Sequence, residues 1–313
     1  MPASAARRLR IGLIGWGTVG SALGALLADG PLPLELVQLA VRDPQRARQA
    51  ALPNAPLATP DEIAGGDCDA VVELAGGAET PLPWAEATLR RGAAYVTANK
   101  ALLATHGGSL GRLASGNGGA LLASASVGGG APMIELVEHL AATGEITRLR
   151  GLVNATTTFI CSAMASGRSY DQALAAAQAA GYAEADPSFD VGGRDAAQKL
   201  AILASVAWGS WRPERDVDTR GIVGITVPPN RVVRLVAEAD ASELRVGPME
   251  LPADSPLAAA SGVESILEVD VRGAGTFRVS GPGAGGRPTA GAVYADLARL
   301  VAGERPVLFG GAS

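Results

Sequence analysis

A lysine preceded by several carboxylates is the part of this sequence best suited to acid–base chemistry. Asp195 and Lys199 are four positions apart, a spacing that places both side chains on one face of a helix. Glu184, Asp186 and Asp190 stand just upstream. Because desolvation makes a lysine easier to deprotonate and neighbouring carboxylates oppose this, Lys199 is a candidate general acid or base. The carboxylates could also bind a cationic substrate group, and the alternative is a solvated helix pair.

Lys100 is the second lysine in a chain that has almost replaced lysine by arginine. Of the 26 basic side chains only Lys100 and Lys199 are lysines, and arginine keeps its proton in proteins. Lys100 follows Ala94–Thr97, which is interpreted as a strand. At the carboxyl edge of an open α/β sheet its ammonium could hold a carboxylate or polarise a carbonyl. The alternatives are an exposed lysine and a coding preference for arginine.

Three glycines between a predicted strand and a predicted helix form a GxGxxG motif. Gly15 permits a tight turn, Gly17 lets a pyrophosphate approach the backbone, and Gly20 lets the helix pack against the strand. The helix begins with Thr18 and Val19, where unpaired N–H groups favour phosphate. The motif predicts a dinucleotide site that these five residues line, and a bare structural turn is the alternative.

The end of the second predicted strand indicates which dinucleotide binds. A carboxylate at that strand tip binds the ribose 2′-hydroxyl of NAD, whereas an arginine suits the 2′-phosphate of NADP. Arg42 stands at the tip, Asp43 follows it, and Arg46 and Arg48 come next. The sequence therefore favours NADP, with NAD as the alternative.

The elements that must position these residues fall into two patterns. Strands alternate with helices in the first part of the chain, which predicts a Rossmann-type α/β domain with a parallel sheet over residues 1–130. Its predicted strands are Leu9–Ile14, Leu34–Val41, Ala70–Leu74, Ala94–Thr97 and Gly119–Ser124. Thr59, Pro60 and Glu62 form a capping box that predicts the start of another helix.

From about residue 131 the pattern predicts an α+β domain that extends to residue 280. The predicted helices are Met133–Ala142, Thr156–Ser166, Tyr170–Ala180 and Asp195–Trp208, and the predicted strands are Ile146–Val153, Val232–Ala237, Glu243–Val246, Ser265–Val271 and Gly275–Val279. Residues 281–313 carry a last helix, Thr289–Val301, and are expected to return to the first domain.

Composition excludes several classes of protein. The 313 residues suggest about two domains, and 48% hydrophobic with 18% charged residues argues against a disordered chain. A net charge of −5 argues against binding to nucleic acid. Cys68 and Cys161 are far apart and only two histidines occur, so neither a disulfide framework nor a Cys- or His-rich metal site is expected. Without a membrane-length apolar run or a signal-peptide pattern, a cytoplasmic protein is expected.

Seven segments between Arg10 and the C-terminus resemble homoserine dehydrogenases. They are GWGTVG (15–20), VVELAGG (71–77), VTANKALLA (96–104), ASVGGGAPMI (125–134), GLVNATTTFI (151–160), GYAEADPSFDVGGRDAAQKLAILA (181–204) and GPGAGGRPTAGAVYADL (281–297). The resemblance implies NAD(P)-dependent interconversion of L-homoserine and L-aspartate 4-semialdehyde, in threonine, methionine and isoleucine biosynthesis. It also implies a homodimer that forms through the second domain.

The resemblance also implies roles for residues. Lys199 would donate a proton to the aldehyde oxygen as hydride arrives and accept it in reverse, and Lys100 would lie beside nicotinamide and substrate. Glu184 and Asp195 would bind homoserine, with Asp190 close by. Further cofactor contacts are implied for Gly76, Gly181 and Gly285.

Three departures from the family pattern affect these expectations. Members usually have Glu at the position of Ser124, which binds a monovalent cation together with backbone carbonyls that correspond to Val127, Gly129 and Ala131. With Ser124 the site loses its only charge, which argues against sodium binding. The usual NGTTN reads NATTT at 154–158, which alters a loop near the substrate. Many members add a C-terminal regulatory domain that senses threonine, and because the chain ends at Ser313 such feedback is not expected.

Two other functions are compatible with the sequence. One is a dehydrogenase for another small aldehyde derived from an amino acid, and the other is a dinucleotide sensor without catalytic activity. Retention of Lys199 and Asp195 argues against the sensor.

Overall fold

The apolar runs at the start of the chain form a parallel sheet of five strands. The computed structural model describes residues 7–43, 55–228, 231–260, 262 and 264–310. The strand order is β2-β1-β3-β4-β5, and every neighbouring pair is parallel. The strands are β1 (Leu9–Ile14), β2 (Leu34–Ala40), β3 (Ala70–Glu73), β4 (Ala94–Thr97) and β5 (Ala120–Leu122).

Helices cover both faces of this sheet. They are α1 (Thr18–Asp29), α2 (Pro60–Gly65), α3 (Leu82–Arg90), α4 (Lys100–Asn117) and, from the end of the chain, α11 (Gly286–Val301). Ile11 and Leu13 of β1 share a buried cluster with residues of α1 and α11. Gly12 between them points to the opposite face, where a Cβ would overlap Ile63 of α2. The predicted Rossmann-type domain is confirmed, as is its capping box, in which Thr59 N–H donates to the Glu62 carboxylate at 2.7 Å.

The middle of the chain forms a mixed sheet with helices packed against it. Its strand order is β11-β10-β6-β8-β9-β7, antiparallel except for the β7–β9 pair. The strands are β6 (Ile146–Leu152), β7 (Asp218–Thr219), β8 (Val232–Ala239), β9 (Leu244–Leu251), β10 (Glu264–Val271) and β11 (Gly275–Pro282). The helices are α5 (Met133–Thr143), α6 (Ala155–Ala165), α7 (Tyr170–Ala179), α8 (Ser188–Val191), α9 (Arg194–Trp208) and α10 (Pro256–Ala259).

The chain divides into two units by its internal contacts. Unit 1 comprises Met1–Gly130 with Gly285–Ser313, and unit 2 comprises Ala131–Ala284. The second unit ends at Ala284, shortly after β11 ends at Pro282, whereas the sequence places the boundary at residue 280. Among the described residues, no helix is long and apolar enough to cross a membrane.

Each unit contains one buried cysteine with a free thiol. Cys68 lies in unit 1 and Cys161 lies in unit 2. Cys161 is a residue of α6, and burial raises the pKa of its thiol to about 11. Neither sulfur is placed to serve as a reactive nucleophile.

Candidate functional site

The GxGxxG motif of unit 1 forms a tight turn that leaves room for a phosphate. Gly15 has φ of +107°, and a Cβ on it would lie 2.9 Å from the Leu74 carbonyl. A Cβ on Gly20 would overlap the Gly15 carbonyl oxygen, so α1 can start here only with glycine at that position. A Cβ on Gly17 would meet none of the described atoms within 4 Å, and no side chain among them caps the start of α1. This open, uncapped helix start fits the pyrophosphate of a dinucleotide.

Two further segments reach the same turn. Gly286, the first residue of α11, lies so close to α1 that a Cβ would be 3.0 Å from the Thr18 carbonyl oxygen. Gly285, a predicted cofactor contact, precedes it with φ of +128°. Gly15 N–H donates to the Ala40 carbonyl at 2.9 Å, which brings the end of β2 to the turn. Arg42, just beyond, is exposed, and Arg46 and Arg48 lie outside the described residues.

Lys100 is the first residue of α4 and not a residue of a loop. Asn99 caps this helix, since its side-chain oxygen accepts a hydrogen bond from Leu102 N–H at 3.2 Å. A cation at the N-terminal end of a helix opposes the helix dipole. Helix stability therefore gives no reason for a lysine at this position, whereas contact with a ligand at the sheet edge would.

A buried carboxylate that sequence reasoning missed bonds to Asn99, the residue before Lys100. Glu73 ends β3 and has no exposed surface. One carboxylate oxygen accepts the N–H groups of Ala75 at 2.6 Å and Gly76 at 2.9 Å. The other accepts the Thr97 hydroxyl at 2.8 Å and the Asn99 side-chain amide at 3.2 Å. A charged residue at the end of the otherwise apolar run VVE is the sequence signal that could have identified it.

In unit 2, Asp195 and Lys199 form a buried pair in the first turns of α9. Lys199 Nζ donates to Asp195 Oδ2 at 2.8 Å and to the Val153 carbonyl at 2.7 Å. Only 13% of the Lys199 side chain and 7% of the Asp195 side chain is exposed. The alternative of a solvated helix pair is therefore wrong, and the ammonium is held by two acceptors from different segments.

Asn154 connects this pair to a second carboxylate. Its side-chain nitrogen donates to Asp190 Oδ1 at 2.7 Å and to Asp195 Oδ2 at 2.8 Å. Its side-chain oxygen accepts Thr157 N–H at 2.8 Å and so caps α6. The sequence alone indicates only that the NATTT segment changes a loop near the substrate. Asparagine before a helix is a common cap, but its second role depends on the position of α9, which the spacing does not reveal.

Glu184, the other predicted substrate residue, lies outside this cluster on an exposed loop. Its carboxylate makes no hydrogen bond or ion pair within the part of the chain that the structure describes. Gln178 donates to its backbone carbonyl at 3.1 Å. Gly181, with φ of +75°, ends the turn that leaves α7, which is a structural reason for this glycine besides the predicted cofactor contact.

Thr156 and Phe159 of α6 hold the loop that carries Glu184. The Thr156 hydroxyl donates to the Tyr182 carbonyl at 2.6 Å, and the rings of Phe159 and Tyr182 are 5.1 Å apart. Farther along the loop, Asp186 accepts hydrogen bonds from Ser188, which lower the pKa of its carboxyl group. The loop is thus fixed at both ends, with its glutamate towards solvent.

The position where the family carries a cation-binding glutamate is filled differently here. The Ser124 hydroxyl donates to Asp296 Oδ1 at 2.5 Å, and Ser124 N–H donates to Asp296 Oδ2 at 3.0 Å. Asp296 is a fully buried residue of α11. Across the described ranges, no three His, Cys, Asp or Glu side chains converge as metal ligands. Ser124 therefore helps to anchor α11 in unit 1, and a cation at the Val127, Gly129 and Ala131 carbonyls would lack an acidic side chain from position 124.

Two family models match most of the chain. Residues 132–298 match the model described as homoserine dehydrogenase, and residues 15–123 match the model of the homoserine dehydrogenase NAD binding domain. The homoserine dehydrogenase of Synechocystis is 38% identical over 317 residues, which cover 94% of this chain and 73% of that protein. The homoserine dehydrogenase of Bacillus subtilis is 35% identical over 321 residues, covering 96% and 74%.

Solved structures give the same match. A homoserine dehydrogenase from Thiobacillus denitrificans superposes with a TM-score of 0.89 at 33% identity, covering 94% of this chain and 73% of that one. A hyperthermophilic archaeal homoserine dehydrogenase in complex with NADPH superposes with a TM-score of 0.83 at 27% identity, covering 96% and 99%.

Proposed function

The chain belongs to the homoserine dehydrogenase family, and on that premise we propose that it interconverts L-homoserine and L-aspartate 4-semialdehyde with NAD(P). The observation that carries the chemistry is the buried Lys199 ammonium, held by Asp195 and the Val153 carbonyl. Hydride transfer is the chemistry that the nicotinamide supplies when it is bound. The remaining requirement is a proton at the substrate oxygen, which this chain must provide.

Lys199 meets that requirement through its unused donor. A lysine ammonium has three N–H bonds, and two of them point to Asp195 Oδ2 and the Val153 carbonyl. The third remains for the oxygen of the substrate, where it stabilises the charge that develops as the carbonyl becomes an alcohol. In the reverse direction the neutral amine accepts the hydroxyl proton. Asp195 and Val153 fix the direction of the ammonium in both cases.

The carboxylates of unit 2 suit the amino group of homoserine. Asp190 and Asp195 lie close together, bridged by the neutral Asn154 amide, and carboxylates attract a substrate ammonium. We assign Asp190 and Asp195 to the binding of homoserine and Glu184 to the loop beside them. In unit 1 we assign Lys100 to the nicotinamide.

Lys199→Met tests the assignment. Loss of the proton donor should lower kcat by at least about 10²-fold, while the dissociation constant of NADPH stays unchanged. Gln198→Met is the matched control, because Gln198 is the adjacent residue of α9 and bonds to Glu214, away from the cluster. Near-normal turnover by Lys199→Met would refute the role, and no hydride transfer to aspartate semialdehyde by the wild type, in a panel of amino-acid-derived aldehydes, would refute the substrate.

We propose NADP as the preferred cofactor. Exposed Arg42 at the end of β2 supports it, because a guanidinium suits the 2′-phosphate. The archaeal relative whose structure contains NADPH adds support. The ratio of kcat/KM for NADP and NAD measures the preference, and a strong preference for NAD would contradict the assignment to Arg42.

A homodimer, a cytoplasmic location and a role in threonine and methionine biosynthesis follow from the family and are proposals here. The exposed edge strand β11, with Phe277 partly exposed, offers unit 2 a surface for a second copy. Light scattering on the purified chain would measure the mass of the assembly, and a monomer at micromolar concentration would contradict the dimer.

A further inference from the structure

Glu73 is a fully buried carboxylate at the end of β3. Its four hydrogen-bond partners are all donors. The Thr97 hydroxyl accepts Asn99 N–H at 2.9 Å, so its own hydrogen points to Glu73. The Asn99 oxygen accepts Leu102 N–H, so its NH₂ group faces Glu73. Four donors around one side chain are what the acceptor oxygens of a carboxylate require.

This carboxylate joins three segments that meet at the carboxyl edge of the sheet. The first is the loop after β3, where Gly76 and Gly77 have φ of +79° and +86°. The second is the end of β4 at Thr97, and the third is the cap of α4 at Asn99. The Asn99 amide also donates to the Gly77 carbonyl at 2.6 Å, which connects the first segment to the third.

The position of Glu73 coincides with the cofactor edge of unit 1. Ligands of open parallel sheets bind beyond the carboxyl ends of the strands. Gly76, expected to contact the dinucleotide, donates its N–H to Glu73. Lys100 directly follows Asn99, so the start of its helix depends on the same network. A buried carboxylate costs more to desolvate than a neutral group, and neutral groups could hold a loop of this length.

We propose that Glu73 is a positioning residue for the dinucleotide, because it fixes the Gly76–Gly77 loop and the start of α4 at Lys100 before the cofactor binds. This inference rests on the proposed function, since it assumes that NAD(P) occupies this edge. Glu73 does not touch the reacting atoms. It sets the shape of the surface that receives the nicotinamide half of the cofactor.

Glu73→Gln in the full chain is the direct test. Glutamine has the same shape but only one acceptor oxygen, so at least one pair of donors loses its partner. The dissociation constant of NADPH, measured from its fluorescence without substrate, should rise about 10-fold or more. Circular dichroism reports whether the variant is folded.

Two further variants keep the test decisive. Glu62→Gln is the matched control, because Glu62 also accepts a backbone N–H in unit 1 and glutamine serves equally well in a capping box. Its NADPH affinity should equal that of the wild type. Thr97→Val keeps Glu73 and removes one donor, so it should weaken NADPH binding about 3-fold or more even if Glu73→Gln does not fold.

The outcomes distinguish failure of the role of Glu73 from failure of the proposed function. Wild-type NADPH affinity in folded Glu73→Gln, or in Thr97→Val, would overturn the role of Glu73 and leave the proposed function standing. A wild-type chain that binds neither NADPH nor NADH would overturn the proposed function and, with it, the role of Glu73.

Discussion

A single amide organises the charges around Lys199. The Asn154 NH₂ group donates one hydrogen to Asp190 and one to Asp195, which keeps the two carboxylates close together. Lys199 donates to Asp195 and to the Val153 carbonyl, which leaves one N–H for the substrate. Sequence spacing could predict the Asp195–Lys199 pair, because both belong to one helix. It could not predict Asn154, which lies on another helix and meets the pair only through tertiary packing.

Asn154→Asp should separate this role from helix capping. Aspartate caps helices as well as asparagine does, so α6 should form normally. Two donors are lost and a third carboxylate joins the cluster, so kcat/KM for homoserine should fall about 10²-fold. Steady-state kinetics with homoserine measure this loss.

Ser169→Ala provides the capping control for Asn154→Asp. Ser169 caps α7 through Gln172 N–H and does not contact the carboxylates. Its loss should lower the free energy of unfolding by about 1 kcal/mol and leave kcat/KM for homoserine at the wild-type value. If Asn154→Asp also kept the wild-type kcat/KM, the amide would serve only as a helix cap.

At the scale of elements, the nucleotide turn depends on how closely α1 approaches β1. A Cβ on Gly20 would overlap the Gly15 carbonyl oxygen, which is backbone and cannot rotate away. A Cβ on Gly17 would enter open space. The two glycines of one motif therefore serve different purposes, packing of the helix for Gly20 and access of the phosphate for Gly17.

Gly20→Ala and Gly17→Ala should consequently behave differently. Gly20→Ala should weaken NADPH binding and also lower the melting temperature, although alanine normally stabilises a helix by about 1 kcal/mol over glycine. Gly17→Ala should weaken NADPH binding with an unchanged melting temperature. Gly116→Ala, at an exposed and uncrowded position of α4, is the control that should raise the melting temperature. Equal melting temperatures for Gly20→Ala and Gly17→Ala would contradict this division.

Elements were predictable where local pattern decides them. β1 and β4 have the predicted bounds, because short apolar runs between turn residues leave few alternatives. β9 was predicted to stop at Val246 but continues to Leu251, because pairing with β8 overrides the glycine and proline at 247 and 248. Proline is tolerated there because β7, on the other side, pairs only with Arg245 and Val246.

The bounds of α4, the longest helix among the described residues, could not be predicted from local pattern either. α4 contains several glycines, which have low helix propensity. Gly111 is required by tertiary packing, since a Cβ on it would lie 2.8 Å from the Leu308 carbonyl oxygen. Close packing against Leu308 thus requires a glycine at position 111, although glycine has a low helix propensity.

At the scale of the whole molecule, the chain forms unit 2 between Ala131 and Ala284 and then returns to unit 1. The homoserine dehydrogenase model matched at 132–298 covers unit 2 and continues into α11 of unit 1. α11 is anchored by the Asp296 carboxylate at Ser124 and by its close approach to Thr18. Its return was expected from the family resemblance, whereas its anchor at Ser124 required the structure.

Because each unit contains one buried thiol, chemical labelling of Cys68 and Cys161 can measure the local opening of each unit separately. Cys68 and Cys161 should both resist a thiol reagent in the native chain and react fully in denaturant. NADPH at 100 times its dissociation constant should slow labelling of Cys68 about 100-fold, because opening of unit 1 must first release the ligand. Mass spectrometry of labelled peptides distinguishes the two sites, and rapid labelling of Cys68 in the ligand-bound chain would contradict the expected protection.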